Sequence, residues 1–254
     1  MSSPPRKRAK VEVAQVSPPK AAFQDPASLP CWAAAGLAHV SNADGGRLRA
    51  LVEQHFPDYL RDDPMPPFVA LSRIVVGQQL AGKAAQAIWH RSLVAFNVAD
   101  GAFLLLQDVL RVSCAGSLDD ATRAAAGLSR AKANALVGIA VAFESGALCA
   151  ATFEGPSEDM AAQLLALKGV GPWSVHMFRI FSLKQPDVLP LGDLAVRNGA
   201  RMVFKGQGSG KAGAFHEKKD AALMDKLFEP YKPFRSLATY YMWRAVGATA
   251  FNQR

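Results

Sequence analysis

Through most of this chain apolar residues return every third or fourth position, the spacing that lines one face of an α-helix. In "GRLRALVEQHF" they fall at 48, 51, 52 and 56. "PFVALSRIVVGQQ" and "AGKAAQAIWHRSLVAF" predict two buried helices, the first starting after Pro66 and Pro67. "DATRAAAGLSRAKANALVGIAVAFESG" predicts a short helix, a turn at Gly127 to Ser129, and a longer helix to Glu144. In "SEDMAAQLLAL", Ser157 is a candidate N-cap, and Glu158 and Asp159 sit in the first turn, where carboxylates suit the helix dipole. A last helix is expected through "RSLATYYMWRAVGATAF". No alternating strand pattern competes, so the predicted fold class is all-α.

Two stretches break the rhythm. Residues 1–30 are rich in Pro, Ser, Ala and Lys without sustained periodicity, and read as a disordered basic tail. "FKGQGSGKAGAFHEKK" looks faintly like a phosphate-binding loop but fails its test. The G-x-x-x-x-G-K-[ST] pattern needs Gly at 205 and a hydroxyl at 212, where this chain has Lys205 and Ala212. A flexible surface loop is expected, with its lysines near a phosphate backbone.

Composition narrows the partner. Half of the 254 residues are apolar, yet no apolar run reaches the roughly 20 residues of a membrane span, which predicts a soluble protein. The formal net charge of +8 points to an anionic partner, nucleic acid being the commonest. Residues 1–20 hold half of it, with Arg6, Lys7, Arg8, Lys10 and Lys20 against Glu12. There "PPRKRAKVE" reads either as a nuclear import signal or as a solvated charge run. Cys31, Cys114 and Cys149 are distant and odd in number, which gives neither a disulfide framework nor a zinc spacing.

The chemistry concentrates in "LLALKGVGPWSV" and the residues after it. Gly169 supplies the freedom of a tight turn, Gly171 can cap the next helix, and Pro172 fits the first helical position, where a missing N–H costs nothing. Free N–H groups at a positive helix end suit a phosphate. An ordinary connection between helices would use the same residues. "LPLGDLAVRNG" then presents a lone carboxylate, Asp193.

"LKGVGPW" resembles the hairpin of the HhH-GPD superfamily of DNA glycosylases, and "LPLGDLAVRNG" resembles that family's Gly/Pro-rich loop and Asp. "IVVGQQLAGKAA", "GLSRAKANAL" and "KPFRSLATYYMWR" are similar, in the same order, to segments of its alkylpurine branch, DNA-3-methyladenine glycosylase II. The resemblance spans residues 31–254, the expected glycosylase domain, with the hairpin at about 167–171 and the Asp loop at about 186–193. Too few residues precede it for the N-terminal β-domain of some bacterial relatives, so the compact eukaryotic form is expected.

The resemblance implies a monomeric enzyme that everts an alkylated purine from double-stranded DNA and hydrolyses its glycosidic bond, starting base-excision repair in the nucleus. Asp193 is implied as the catalytic group; capping the following helix is its other reading. Trp173, Met177, Phe181, Ser182 and Trp243 fall at positions of the base pocket, though Trp243 on its helix also reads as plain core packing. Met177, a tyrosine in some bacterial relatives, would make one wall aliphatic. Lys168, Gly169, Val170, Gly171 and Ser174 form the expected DNA grip. Gln79 falls where the family inserts a wedge into the gap left by the flipped base, or else it is a polar helix terminator. Lyase members carry a lysine where this chain has Trp173, so no Schiff base is expected there. Three distant cysteines exclude the four-cysteine iron–sulfur loop, and no cofactor is expected beyond a monovalent cation at the carbonyls of Leu165, Leu167 and Val170. The rival readings are a non-catalytic DNA-binding module and a glycosylase for oxidised or deaminated bases.

Overall fold

A computed structural model describes residues 29–61, 65–80, 82–154 and 157–247. Most of the basic tail expected over 1–30 lies outside these residues, as do positions 248–251 of the last expected helix.

Asp119 and Ser129 start two helices by accepting the backbone N–H three residues on: Thr122 N at 2.9 Å and Lys132 N at 3.3 Å. These helices are α6 (Asp120–Ala126) and α7 (Arg130–Glu144), and Gly127, at φ 71°, ends the first in the left-handed conformation. The turn expected at 127–129 is there. Pro67 opens α3 (Pro67–Gly77), which is apolar nearly all round and buried accordingly. α3 packs on α7 and on α4 (Gly82–Ala95), while α5 (Leu106–Arg111) covers α7.

A second group forms from both ends of the described chain. α1 (Ala33–Gly46) and α2 (Arg49–Gln54) pack on α13 (Arg235–Ala245), and α13 also packs on α11 (Leu194–Val203). α13 is buried from Ser236 to Trp243. Between the groups run α8 (Ala150–Glu154), α9 (Ser157–Leu165) and α10 (Pro172–Phe181), with α10 against α3. α12 (Ala221–Phe228) precedes α13. Buried side chains from both groups join in one hydrophobic core.

The structure departs from the sequence expectations in four respects. α4, expected as a buried helix, buries only Ala85 and Ser92, and its other residues are half-buried or exposed. Ser113–Cys114 and Ser117–Leu118 pair as a small antiparallel hairpin, with Ala115 and Gly116 both at positive φ in its two-residue turn. Strands of two residues are too short to show alternation. Ser157 is the first residue of α9, and its hydroxyl lies 3.3 Å from the Gln185 amide oxygen. Lastly, the segment expected to be a flexible surface loop, 204–219, is bonded within itself and to the residue that follows it. Buried Asp220 accepts Ser209 N at 3.0 Å and His216 N at 2.6 Å. A Cβ on Gly213 would lie 2.1 Å from Gly206 O, so glycine is required there for packing rather than for binding phosphate.

Among the described residues no helix is long and apolar enough to cross a membrane.

Candidate active site

Polar residues of α13 secure the segment that leads to Asp193. Ser236 Oγ donates to Gln185 O at 2.6 Å and accepts Val188 N at 3.0 Å, and Thr239 Oγ1 donates to Val188 O at 3.3 Å. Arg235 grips Asp187 with Nε at 2.6 Å and Nη2 at 2.9 Å. Burial pushes the Asp187 carboxyl up, but its hydrogen bonds and charge pairing with Arg235 outweigh this and hold it below its ordinary range. Arg197 Nη1, from α11, donates to Leu191 O at 2.9 Å. The sequence reading missed all these residues; the polar positions of "RSLAT" on an otherwise buried helix were the available signal.

Asp193 then caps α11, its Oδ1 accepting Val196 N at 2.8 Å. The same carboxylate receives both expected indoles. Trp173 Nε1 donates to Oδ2 at 2.7 Å, and Trp243 Nε1 donates to Oδ1 at 3.1 Å. The close approach depends on Gly199, where a Cβ would fall 2.2 Å from Met242 O. With no side chain there, α11 and α13 nearly touch, and Trp243 comes within reach of Asp193. Capping and site geometry therefore coexist. A carboxylate offers about four lone-pair sites. Two donors occupy Oδ1 and one occupies Oδ2, so the remaining site is on Oδ2.

The pocket positions separate by burial. Trp173 is partly exposed, whereas Trp243 is 5 % exposed and stacks on Phe181 with ring centroids 5.5 Å apart at 16°. Of its two readings, base pocket and core packing, Trp243 follows the second: its ring is buried against Phe181, and only its N–H reaches the site, at Asp193. Phe181 meets Tyr59 edge-on at 5.4 Å and backs the indole rather than facing outward. Ser182 is partly buried at the end of α10. Met177 corrects the reading: it has no exposed surface and belongs to the core, so it forms no open wall.

On the hairpin, Lys168 and Gly169 are exposed, and Val170 is buried. Gly169, at φ 88°, sits so close to α7 that a Cβ would lie 2.6 Å from Ala135 Cβ, whereas a Cβ on Gly171 would meet open space. Ser174 is a second correction. It is 1 % exposed, and its hydroxyl accepts Gln78 Nε2 at 2.8 Å instead of facing a ligand. Gln79 is exposed and left-handed, at φ 58°. Gln78 and Lys132, which hold its turn, were also missed; nothing in their local pattern marks them. Among the described residues no cluster of three His, Cys, Asp or Glu could hold a metal.

No protein-family model matches the chain. It is 31 % identical over 211 residues to DNA-3-methyladenine glycosylase 1 of Schizosaccharomyces pombe, covering 81 % of this chain and 84 % of that one. It is 25 % identical over 236 residues to the DNA-3-methyladenine glycosylase of Saccharomyces cerevisiae, covering 81 % and 77 %. Among solved structures, S. pombe 3-methyladenine DNA glycosylase in complex with abasic DNA matches with a TM-score of 0.66 at 28 % identity, over 87 % of this chain and 100 % of that one. The DNA-3-methyladenine glycosidase of Bacillus halodurans matches with a TM-score of 0.60 at 29 % identity, over 82 % and 87 %. With an aspartate that caps its helix and takes two indole N–H groups behind a glycine hairpin, and with relatives of this kind along most of its length, the chain belongs to the DNA-3-methyladenine glycosylase family of the helix–hairpin–helix superfamily.

Proposed function

We propose that the protein is a monofunctional DNA glycosylase that removes alkylated purines from duplex DNA, with Asp193 as the catalytic group. The observation that carries this reading is the convergence of three N–H donors on one carboxylate, beside the stacked rings of Trp243 and Phe181. A purine alkylated at N3 or N7 is cationic and leaves without being protonated. As the C1′–N bond breaks, its electron pair stays with the base, which departs neutral, and positive charge builds on the sugar. The Asp193 carboxylate opposes that charge. Its open site on Oδ2 orients a water, whose oxygen bonds to C1′ and whose proton is lost to Asp193 and solvent. The products are a free base and an abasic site.

Trp173, partly exposed, supplies an indole for an everted, electron-poor ring, since cations bind best over electron-rich faces. Trp243 fixes the carboxylate from behind. The hairpin from Lys168 to Gly171 suits a phosphate, and Gln79 suits the gap left by the everted base. The donor set at Leu165, Leu167 and Val170 is three neutral carbonyls with no carboxylate, which fits a monovalent cation; it would brace the turn against the phosphate. The basic cluster at residues 6–10 and the kinship with yeast repair enzymes support a nuclear location.

Base release from methylated duplex DNA tests the reading. The expected result is release of 3-methyladenine or 7-methylguanine that leaves intact abasic strands and no borohydride-trapped protein–DNA adduct. Binding without release would favour a DNA-binding module, and a trapped adduct would show lyase chemistry instead.

A further inference from the structure

The turn that carries Gln79 is held from two sides. Leu80 N donates to Gly77 O at 3.2 Å, with Gln78 at φ −49°, ψ 135° and Gln79 at φ 58°. These are the angles of a type II turn, whose third position favours glycine or asparagine. A glutamine there is strained, and such strain persists only where its surroundings enforce it.

Lys132 provides one restraint. From the first turn of α7, its Nζ donates to Val76 O at 2.7 Å and Gln78 O at 2.8 Å, carbonyls in the last turn of α3 and just beyond it. Gln78 provides the other, donating Nε2 to Gly169 O at 2.9 Å and to Ser174 Oγ at 2.8 Å. A carbonyl can only accept, so the amide orientation is fixed by Gly169. Through these four bonds the turn, α7 and the hairpin form one unit.

We propose that Lys132 and Gln78 are positioning residues for base eversion: they lock the Gln79 turn to the hairpin, so that the hairpin's hold on a phosphate sets how Gln79 enters the base stack. This rests on the reading of Gln79 as the wedge. Loss of either restraint frees the turn to relax, and Gln79 no longer fills the gap that keeps the base outside. Neither residue touches the reacting atoms, so chemistry on a base that is already unpaired stays intact.

The test is single-turnover release of 7-methylguanine from two duplexes, one with the lesion paired to cytosine and one with it opposite an abasic-site analogue. Lys132→Met and Gln78→Ala should each slow release from the paired duplex by about tenfold or more and from the unpaired one by less than about threefold, because only the first must break a base pair. Lys132→Arg, which keeps donors for both carbonyls, should restore most of the paired-duplex rate. Should Lys132→Met fail to fold, Gln78→Ala carries the same expectation. Equal losses on both duplexes, or none on either, would overturn the proposal. Gln79→Ala separates the two layers. If it shows no preference for the unpaired lesion, the wedge reading fails; if it does while the Lys132 and Gln78 variants do not, the lock alone fails.

Discussion

Asp193 serves two purposes with one carboxylate, since the oxygen that caps α11 also takes an indole N–H. Its placement was legible in the sequence from the Gly/Pro loop before it and the helix after it. The indole N–H bonds were not, because nothing in a sequence says which edge of a tryptophan faces a neighbour. Trp173→Phe isolates that bond: it keeps an aromatic face and removes the donor to Oδ2. A hydrogen bond to a charged group contributes about 1.5–3 kcal/mol, so single-turnover release should fall by roughly 10- to 100-fold. Binding to abasic DNA should stay within about threefold, a change too small for a lost charge-assisted bond. Equal losses in rate and binding would make Trp173 a packing residue. Gln79→Gly probes strain in the same way. Relief of the left-handed conformation offsets the entropy of a glycine, so stability should change by less than about 1 kcal/mol in thermal unfolding while release from paired lesions slows.

Among the elements, the helices were read well wherever a cap or a breaker marks their ends, as at Ser129, Gly127 and Pro67. The failures at the 204–219 loop, Met177 and Ser174 share a physical cause: the information lay in contacts beyond the local pattern. Glycines in 206–213 suggested mobility, yet one buried aspartate from outside the loop orders it. Met177 and Ser174 share α10 with Trp173, and the burial of each depends on what packs opposite: the core for one and Gln78 for the other. Gly199 shows the same dependence where α11 crosses α13. Gly199→Ala would force a methyl group into the Met242 carbonyl. Overpacking of this kind costs about 1–3 kcal/mol or more, and it also moves Trp243 away from Asp193. Both the melting temperature and base release should drop. A fully active, equally stable variant would show that the crossing has slack.

For the whole molecule, pH and salt bear on different parts. The folded pKa of Asp187 is depressed below its ordinary 3.8, so its contribution is complete above that value and is lost as pH falls through the lower folded value. Asp187→Asn should therefore be less stable than the parent at neutral pH, with the difference shrinking below about pH 4 in acid-unfolding curves. A constant difference would mean that the Arg235 pair contributes nothing through charge. Because residues 1–20 carry half of the net charge, removing 1–28 should flatten the salt dependence of binding to undamaged DNA and leave release from the bound lesion unchanged. The account as a whole turns on Asp193, and single-turnover release from a methylated duplex by the parent and Asp193→Asn, beside equilibrium binding to the same DNA, tests it most directly. The prediction is a loss of about a thousandfold or more in release, near 4 kcal/mol of barrier, with binding changed less than about threefold. Release at the parental rate would contradict it.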